Sequence, residues 1–215
     1  MHEFDSFRNL PDGWSRSKNC RSSPPPFSLD EKSAELFNQK GYAGSSIQDI
    51  MQVTGLTKGG VYRTFSGKDE IALEAFDYAS RIVMEQILNA AEKAEKAFDK
   101  IMAVCAVYED PVNHPPLEGG CPLLNTAVEA DDGYLPLREK AAAAHGLFTA
   151  FIQSILDKGV AAGELSSDFN TEAFASFVVS SLEGGVMASR LTRDNKHVDF
   201  VIHQIKLVLS NYRKI

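Results

Sequence analysis

The stretch "GLTKGGVYRTFSGK", residues 55–68, contains three basic residues and no acidic one. The chain around it is acidic, with 22 Lys and Arg against 29 Asp and Glu and a formal net charge of −7. Gly59 and Gly60 stand side by side where the flanking pattern predicts a helix, although glycine costs a helix interior roughly 1 kcal/mol relative to alanine. A basic helix weakened by two glycines indicates a place where another molecule approaches the backbone closely.

Two short helices surround Gly55 in this part of the chain. The pattern predicts one helix over residues 45–53 and a second over residues 57–65, with the glycine as the break between them. Two short helices joined by such a turn form a helix-turn-helix. The predicted caps are Ser45 with Gln48, Thr57 alone, and Ser66 with Asp69 at the start of the next helix.

The second helix of such a motif enters the major groove of DNA with its N-terminal residues leading. Lys58 can donate to guanine there, and the bare backbone at Gly59 and Gly60 allows a close approach to the base edges. An alternative stays open, because Val61 and Phe65 are spaced for packing and two glycines equally allow close crossing of helices within the protein. Further donors for bases or phosphates are Gln48, Tyr62, Arg63, Thr64 and Lys68.

The rest of the chain alternates helical periodicity with loops and shows no alternating strand pattern of useful length. The clearest period is in the last helix, where the apolar residues between Val198 and Tyr212 form a single stripe. The sequence therefore predicts an all-α fold of about nine helices. Their expected ranges are residues 28–41, 45–53, 57–65, 69–81, 83–107, 123–130, 137–159, 172–191 and 198–212.

Composition argues against several classes of protein. The chain has 215 residues, 44% of them hydrophobic, which is enough for a sizeable buried core. No run approaches the roughly 18 apolar residues of a membrane helix, and residues 1–27 lack the apolar stretch of a signal peptide. The three cysteines are widely spaced, which disfavours a disulfide framework and a cysteine zinc site. We therefore expect a cytoplasmic protein with no membrane partner.

The sequence contains little that is typical of catalysis. No nucleophile, acid and base converge in a recognisable motif, and the five histidines lack a paired metal-ligand spacing. Glu129, Asp131 and Asp132 are expected to form the solvated end of a helix. We therefore expect neither an enzyme nor a bound metal or cofactor.

The segment "AELFNQKGYAGSSIQDIMQVTGLTKGGVYRTFSGKDEIALEAF", residues 34–76, closely resembles the N-terminal DNA-binding domain of the TetR family of bacterial transcriptional regulators. The shared pattern is A-x-L-F-x-x-x-G-Y, then S-I-x-D-I, then G-[LV]-[ST]-K-G-x-[VL]-Y-x-x-F-x-x-K. The resemblance implies contacts with bases or the groove from Gln48, Lys58, Gly59, Gly60 and Arg63. It implies contacts with phosphates from Ser46, Thr57, Tyr62, Thr64 and Lys68.

The resemblance also implies a division into domains. Residues 28–80 correspond to the helix-turn-helix domain, and residues 81–215 correspond to a ligand-binding and dimerisation domain. Within the latter, "EGGCPLLNTAVEADD", residues 118–132, resembles a segment of one subset of the family. Residues 1–27 are predicted to be a flexible arm, with a DNA-touching arm as the alternative.

The last two helices carry apolar surface beyond one stripe, which predicts a two-fold dimer built as a four-helix bundle. The alternative is that these residues close the core of a single chain. The predicted interface consists of Phe174, Phe177, Val178, Leu182, Val186, Val201, Ile205, Val208 and Leu209.

A pocket for a small-molecule effector is predicted among the middle helices, although the same residues are what a plain core contains. Cys121 is predicted near a helix N-terminus, where a thiolate is favoured, and is the candidate for reaction with oxidants or electrophiles. The alternative is an inert buried thiol. The predicted pocket residues are Met102, Cys105, Cys121, Leu124, Val128, Phe148, Phe151 and Ile152.

The sequence therefore predicts a homodimeric, ligand-responsive transcriptional regulator, in the first instance a repressor. It is expected to bind a pseudo-palindromic operator and to be released by a small-molecule or thiol-reactive inducer. The alternative from another class is an all-α small-molecule sensor or carrier that has lost sequence-specific DNA binding. Salt separates the two, because DNA affinity falls steeply with salt through counterion release.

Overall fold

The computed structural model describes residues 28–214, which form nine α-helices joined by turns and loops. Within this range, β-structure is limited to an isolated antiparallel bridge between Leu165 and Arg213. The predicted all-α fold is confirmed, and the predicted arm, residues 1–27, lies outside the described residues. The helices are α1 (Ser28–Lys40), α2 (Ile47–Thr54), α3 (Lys58–Thr64), α4 (Lys68–Glu92), α5 (Ala97–Ala106), α6 (Pro122–Ala130), α7 (Leu135–Ala161), α8 (Thr171–Thr192) and α9 (Lys196–Ser210).

Helix α4 is longer than the sequence analysis predicts. Separate helices over residues 69–81 and 83–107 were expected, and this boundary is wrong because α4 continues to Glu92. The helix contains neither glycine nor proline, so no residue near position 82 removes a backbone hydrogen bond. The interruption falls instead at residues 93–96, and α5 begins after it with the Glu164 carboxylate accepting from the Ala97 N–H at 2.7 Å.

The cap of α2 lies one residue later than predicted. Ser46 is the N-cap, and its hydroxyl accepts from the N–H of Asp49 while the Asp49 carboxylate accepts from the N–H of Ser46. The predicted cap, Ser45 with Gln48, is wrong. The Ser45 side chain is buried and donates from Oγ to the carbonyl of Gly41 at 2.7 Å, so it is not available to α2.

The other two predicted caps differ in outcome. Thr57 caps α3 as predicted, since its hydroxyl accepts from the N–H of Gly60 at 3.2 Å. The predicted pair of Ser66 with Asp69 is wrong, because the backbone N–H and the hydroxyl of Ser66 both donate to the carboxylate of Glu70 at 2.8 Å.

The described chain divides into two compact units. Residues 28–82 and 117–144 form the first, which we call the head unit, and residues 83–116 and 145–214 form the second, the body unit. This division differs from the domain boundary placed after residue 80. Residues 117–144, predicted as part of the second domain, belong to the same compact unit as the helix-turn-helix.

The head unit has a hydrophobic core that includes both helices of the helix-turn-helix. Val61 and Phe65 pack with Leu36 of α1, Ile50 of α2 and Ile71 of α4. Each fully buried side chain of this kind stabilises the fold by about 1.5–3 kcal/mol. A second cluster joins α4, α6 and α7 and consists of Ala72, Phe76, Ala130, Leu137, Ala141 and Ala144.

In the body unit, α8 and α9 pack closely against each other. A Cβ atom on Gly185 would lie 3.1 Å from the Cα of Val198, so the two backbones approach more closely there than a larger residue allows. Beside this contact the buried Ser189 hydroxyl accepts from the N–H of Val198 at 2.9 Å. The close crossing therefore has both an apolar and a polar component.

One ion pair lies largely buried in the head unit. Lys140 of α7 donates to Asp77 of α4 at 2.5 Å, and the two side chains are only 18% and 12% exposed. The second carboxylate oxygen of Asp77 is buried without a hydrogen-bond partner. Burial raises the pKa of Asp77 to about 6, although the Lys140 ammonium acts in the opposite direction. The folded head therefore holds a proton on Asp77 more tightly than the unfolded chain does.

We expect Asp77 to stabilise the fold as the pH falls from about 6 toward 4, since its folded pKa lies above its ordinary value of 3.8. This contribution is present below the unfolded pKa and is lost as the pH rises through the folded pKa. Asp77→Asn removes it. The stability of the variant relative to wild type should therefore be lower at about pH 4.5 than at about pH 7, measured by urea unfolding. A difference that stays constant between the two pH values would contradict this expectation.

Candidate nucleic-acid interface

Helix α3 has one buried side and one exposed side. Val61 is 0% exposed and Phe65 is 6% exposed, because both lie in the head core. The remaining long or polar side chains of the helix point to solvent, and Tyr62 is 47% exposed. Packing therefore leaves the polar face of α3 free for a partner. The predicted contact residues exposed on it are Thr57, Lys58, Gly59, Tyr62, Arg63 and Thr64.

The two adjacent glycines do not serve helix packing within the described chain. A Cβ atom on Gly59 would meet nothing within 4 Å. A Cβ atom on Gly60 would meet Thr57 Oγ1 at 3.4 Å and Leu56 at 3.8 Å, which are ordinary contacts. The close-crossing alternative therefore finds no support here. The space left by Gly59 opens outward from the protein.

Helix α2 presents Gln48 to solvent, as the predicted contact with DNA requires. Ser46, the predicted phosphate donor beside it, is already engaged, since its hydroxyl donates to Asp49 Oδ2 at 2.5 Å. Lys40 also donates to Asp49 at 2.8 Å. This hydrogen bond, and to a smaller extent those from Ser46, hold the pKa of Asp49 well below its usual range. A phosphate would therefore compete with the Asp49 carboxylate for Ser46.

The ammonium group of Lys68 has a structural role that the sequence analysis missed. Lys68 is the first residue of α4, and its Nζ donates to the carbonyls of Tyr42 at 2.9 Å and Ser45 at 3.0 Å. It also lies 4.1 Å from the centre of the Tyr42 ring, a cation–π distance. The predicted phosphate contact of Lys68 stays a prediction, and it would use an ammonium that already holds this loop.

The loop between α1 and α2, residues 41–46, is also held by a residue from far along the chain. Both carboxylate oxygens of Glu129 accept from backbone N–H groups of this loop, at 2.6 Å from Tyr42 and 2.7 Å from Ala43. Glu129 is exposed near the end of α6, as expected, but it also bonds this loop, a role that the sequence analysis missed. The Tyr42 hydroxyl donates to Asp69 at 2.5 Å, and this hydrogen bond raises the pKa of Tyr42 to about 12.

The predicted effector-binding residues fall into both compact units. In the body unit, Cys105, Phe148, Phe151 and Ile152 are buried core residues. Burial raises the pKa of the Cys105 thiol to about 12. In the head unit, Cys121 is the N-cap residue of α6 and is 7% exposed. Val128 is wrong as a wall of an internal pocket, because it is 70% exposed. The buried or half-buried members of the set are Met102, Cys105, Cys121, Leu124, Phe148, Phe151 and Ile152.

A cleft lies within the head unit, between α1, α4, α6 and the start of α7. Its empty space is about 520 Å³ with the solvent at its mouth included. None of the eight predicted effector residues lines this cleft. Its walls are formed instead by apolar residues such as Phe37 and Phe76, by the stacked rings of Tyr42 and Tyr134, and by Glu129.

Most of the predicted dimer interface is buried within a single chain and so cannot face a second copy. Six of the nine residues are at most 6% exposed, namely Phe174, Val178, Leu182, Val186, Ile205 and Leu209. They form the inner sides of α8 and α9, since a helix packed on its own chain also shows an apolar stripe. Val201 and Val208 are half-buried, and Phe177 is 41% exposed. The apolar residues that α8 and α9 expose are Phe177, Met187, Leu191, Phe200 and Leu207.

Two further features bear on the kind of site. Across residues 28–214, no three His, Cys, Asp or Glu side chains come together in a way that could hold a metal ion. None of the helices in that range combines the length and apolar character needed to span a membrane.

Comparison with known families gives matches in both halves of the chain. The family described as "Bacterial regulatory proteins, tetR family" matches residues 31–75, which include all of α2 and α3. The family described as "Tetracyclin repressor-like, C-terminal domain" matches residues 97–205. The two matches leave residues 76–96 between them, which are the rest of α4 and the loop before α5.

Three known proteins show how far the similarity extends. A TetR transcriptional regulator from Chloroflexus aurantiacus J-10-FL is 34% identical, with a TM-score of 0.83 over 87% of this chain and 94% of that one. The HTH-type transcriptional repressor DhaR of Mycobacterium sp. strain GP1 is 23% identical over 80% of this chain and 85% of its own. A cysteine mutant of the regulator CifR, complexed with 26-bp double-strand operator DNA, shares the fold with a TM-score of 0.76 at 15% identity, over 88% of this chain and 98% of that one.

Gly59→Ala should show whether Gly59 is needed for the stability of the fold or for the approach of DNA. The added methyl group meets no atom of the chain, so the variant should be more stable than wild type by up to about 1 kcal/mol. Its affinity for DNA should nevertheless fall, because the methyl group occupies space that the backbone needs for approach. Thermal unfolding and DNA titration measure the two effects.

Gly146→Ala is the matched control, because Gly146 is an exposed glycine within α7 whose Cβ would also meet nothing within 4 Å. This variant should gain stability without losing DNA affinity. Equal DNA affinity of the Gly59 and Gly146 variants would show that the glycine at position 59 is not needed for the approach.

Proposed function

Because the chain belongs to the TetR family of bacterial transcriptional regulators, we propose that it is a homodimeric repressor that binds a pseudo-palindromic DNA operator and is released by an effector. The observation that carries this proposal is the division of α3 into a buried and an exposed side. Val61 and Phe65 hold the helix in the head core, and the basic, glycine-containing side remains open to DNA.

The residues around α3 provide contacts of two kinds. Lys58 and Arg63 on α3 and Gln48 on α2 carry donors suited to base edges in the major groove. Thr57, Tyr62 and Thr64 carry hydroxyl groups that can donate to phosphate oxygens and so set the register on the duplex. Because the chain has a formal net charge of −7, attraction to DNA must come from this local face rather than from the whole protein.

The proposed dimer uses the outer faces of α8 and α9 instead of the residues predicted from the sequence. Phe177, Gly184, Met187 and Leu191 are spaced by seven, three and four residues, which places them on one side of α8, and all four are exposed. An exposed glycine in the middle of this row allows a second helix to come close. A second copy of the chain would cover both these residues and the exposed apolar residues of α9 in a four-helix arrangement.

Repression and release are proposed by analogy with the relative whose name describes a repressor. The effector must bind more tightly to the state that does not fit DNA, since only differential affinity shifts the population. If the effector is thiol-reactive, Cys121 is the better target of the two described cysteines. Burial raises the pKa of Cys105 to about 12 and keeps it in the unreactive thiol form.

Selection of the purified protein against a random DNA duplex library tests the proposal, and an enriched inverted repeat is the expected result. Lys58→Ala should then weaken binding to the selected sequence by about tenfold and reduce the salt dependence by about one released ion. Lys93→Ala is the control, since Lys93 is an exposed lysine in the loop before α5. Failure to enrich any sequence at low salt, with folded dimeric protein, would favour the small-molecule carrier instead.

The dimer proposal makes a separate prediction. Met187→Glu places a carboxylate in the middle of the exposed row on α8, where Met187 is 53% exposed in the single chain. The folded protein should become monomeric, because burying an unpaired charge at an interface is costly. Val128→Glu is the control, since Val128 is an apolar residue of the head unit that is 70% exposed. Sedimentation velocity measures both, and a dimeric Met187 variant would refute the proposed interface.

A further inference from the structure

The loop between α1 and α2, residues 41–46, contains backbone N–H groups that lie outside both helices. Glu129 of α6 supplies acceptors for two of them, one oxygen for Tyr42 at 2.6 Å and the other for Ala43 at 2.7 Å. Hydrogen bonds to a carboxylate are about twice as strong as those between neutral groups. One side chain therefore determines where two successive peptide groups of this loop lie.

The shape of the loop is matched to this carboxylate. Gly41 has a φ of +77°, which places it in the left-handed region that favours glycine. A Cβ atom at this position would lie 2.9 Å from one carboxylate oxygen of Glu129 and 3.0 Å from the other. Glycine at position 41 thus permits both the turn of the backbone and the close approach of Glu129.

The opposite side of the same loop is held by the first turn of α4. Lys68 donates to the carbonyls of Tyr42 and Ser45, and Asp69 accepts from the Tyr42 hydroxyl. Two N–H groups of the loop are thus bonded to α6, and two of its carbonyls are bonded to α4. Since the loop leads directly into Ser46, the N-cap of α2, its position determines where the helix-turn-helix begins.

The beginning of α6 is also bonded to α1. The buried Asn38 side chain donates to the carbonyls of Glu118 and Gly120 at 2.8 and 2.9 Å, and Asn125 donates to the Asn38 side-chain oxygen at 2.8 Å. A Cβ atom on Gly119 would lie only 2.7 Å from the Asn38 carbonyl oxygen. Helix α6 is therefore attached to the first helix of the head at one end and to the α1–α2 loop at the other.

We propose that Glu129 is a positioning residue for DNA binding, which transmits the position of α6 to the helix-turn-helix by holding the α1–α2 loop. It acts through Tyr42 and Ala43 and makes no contact with DNA itself. The inference rests on the proposed function as a DNA-binding regulator. It adds the internal contact by which a displacement of α6 changes the placement of α2 and α3.

The test compares Glu129→Gln with Asp132→Asn in the full-length protein. The glutamine side chain offers only one acceptor oxygen and sets its NH₂ group against a backbone N–H, so one of the two bonds is lost. Asp132 is an exposed carboxylate three residues further along, and its replacement removes the same charge without touching the loop. Hydrogen exchange followed by NMR reports on the Tyr42 and Ala43 amides, and titration with the selected operator reports on affinity.

For Glu129→Gln we expect faster exchange at the amides of Tyr42 and Ala43 and an operator affinity lower by about tenfold, with the same selected consensus. Asp132→Asn should keep wild-type exchange, and its affinity should stay equal or rise slightly because a negative charge near DNA is removed. Exchange of the amides in the head core should stay at the wild-type rate in both variants.

Three results would overturn the inference. The first is an operator affinity of Glu129→Gln equal to that of Asp132→Asn. The second is a fall in affinity accompanied by faster exchange throughout the head core, since Glu129 would then act only on stability. The third is wild-type protein that selects no operator, which defeats the proposed function as well. The exchange of the Tyr42 and Ala43 amides would then still decide whether Glu129 holds the loop.

Discussion

The burial of Val61 and Phe65 is the interaction on which the exposed side of α3, the proposed DNA-binding surface, depends. A helix of seven residues is too short to be stable by itself in water, so α3 exists because these two side chains pack against α1, α2 and α4. The same packing fixes the rotation of the helix about its axis. Lys58, Tyr62 and Arg63 are exposed as a direct consequence, because they lie on the side of α3 opposite the buried residues.

Polar contacts over long sequence distances then set where this small core sits within the head unit. Glu129 reaches the α1–α2 loop from α6, and Asn125 of the same helix reaches Asn38. These contacts explain why residues 117–144 form one compact unit with the helix-turn-helix although residues 83–116 of the body unit separate them along the chain. Through these contacts α6 is bonded directly to α1 and to the loop that leads into α2.

Helices α8 and α9 show what an apolar stripe does and does not establish. The period from Phe174 to Val186 correctly marks a buried side, but that side faces the chain's own core. A second row, from Phe177 through Gly184 to Leu191, is exposed on the same helix. A period of 3.6 residues identifies which residues share a face, whereas the neighbour that covers that face depends on how the helices pack.

The sequence by itself determined the features that depend on residues close together in the chain. These include the all-α class, the break at Gly55, the cap at Thr57 and the inward direction of Val61 and Phe65, because caps, turns and periodicity act within a few residues. Only the tertiary structure decided the roles of Lys68 and Glu129, and which side of α8 is exposed to solvent. The partners of Glu129 lie 86 and 87 residues away, and no local pattern records a hydrogen bond across that distance.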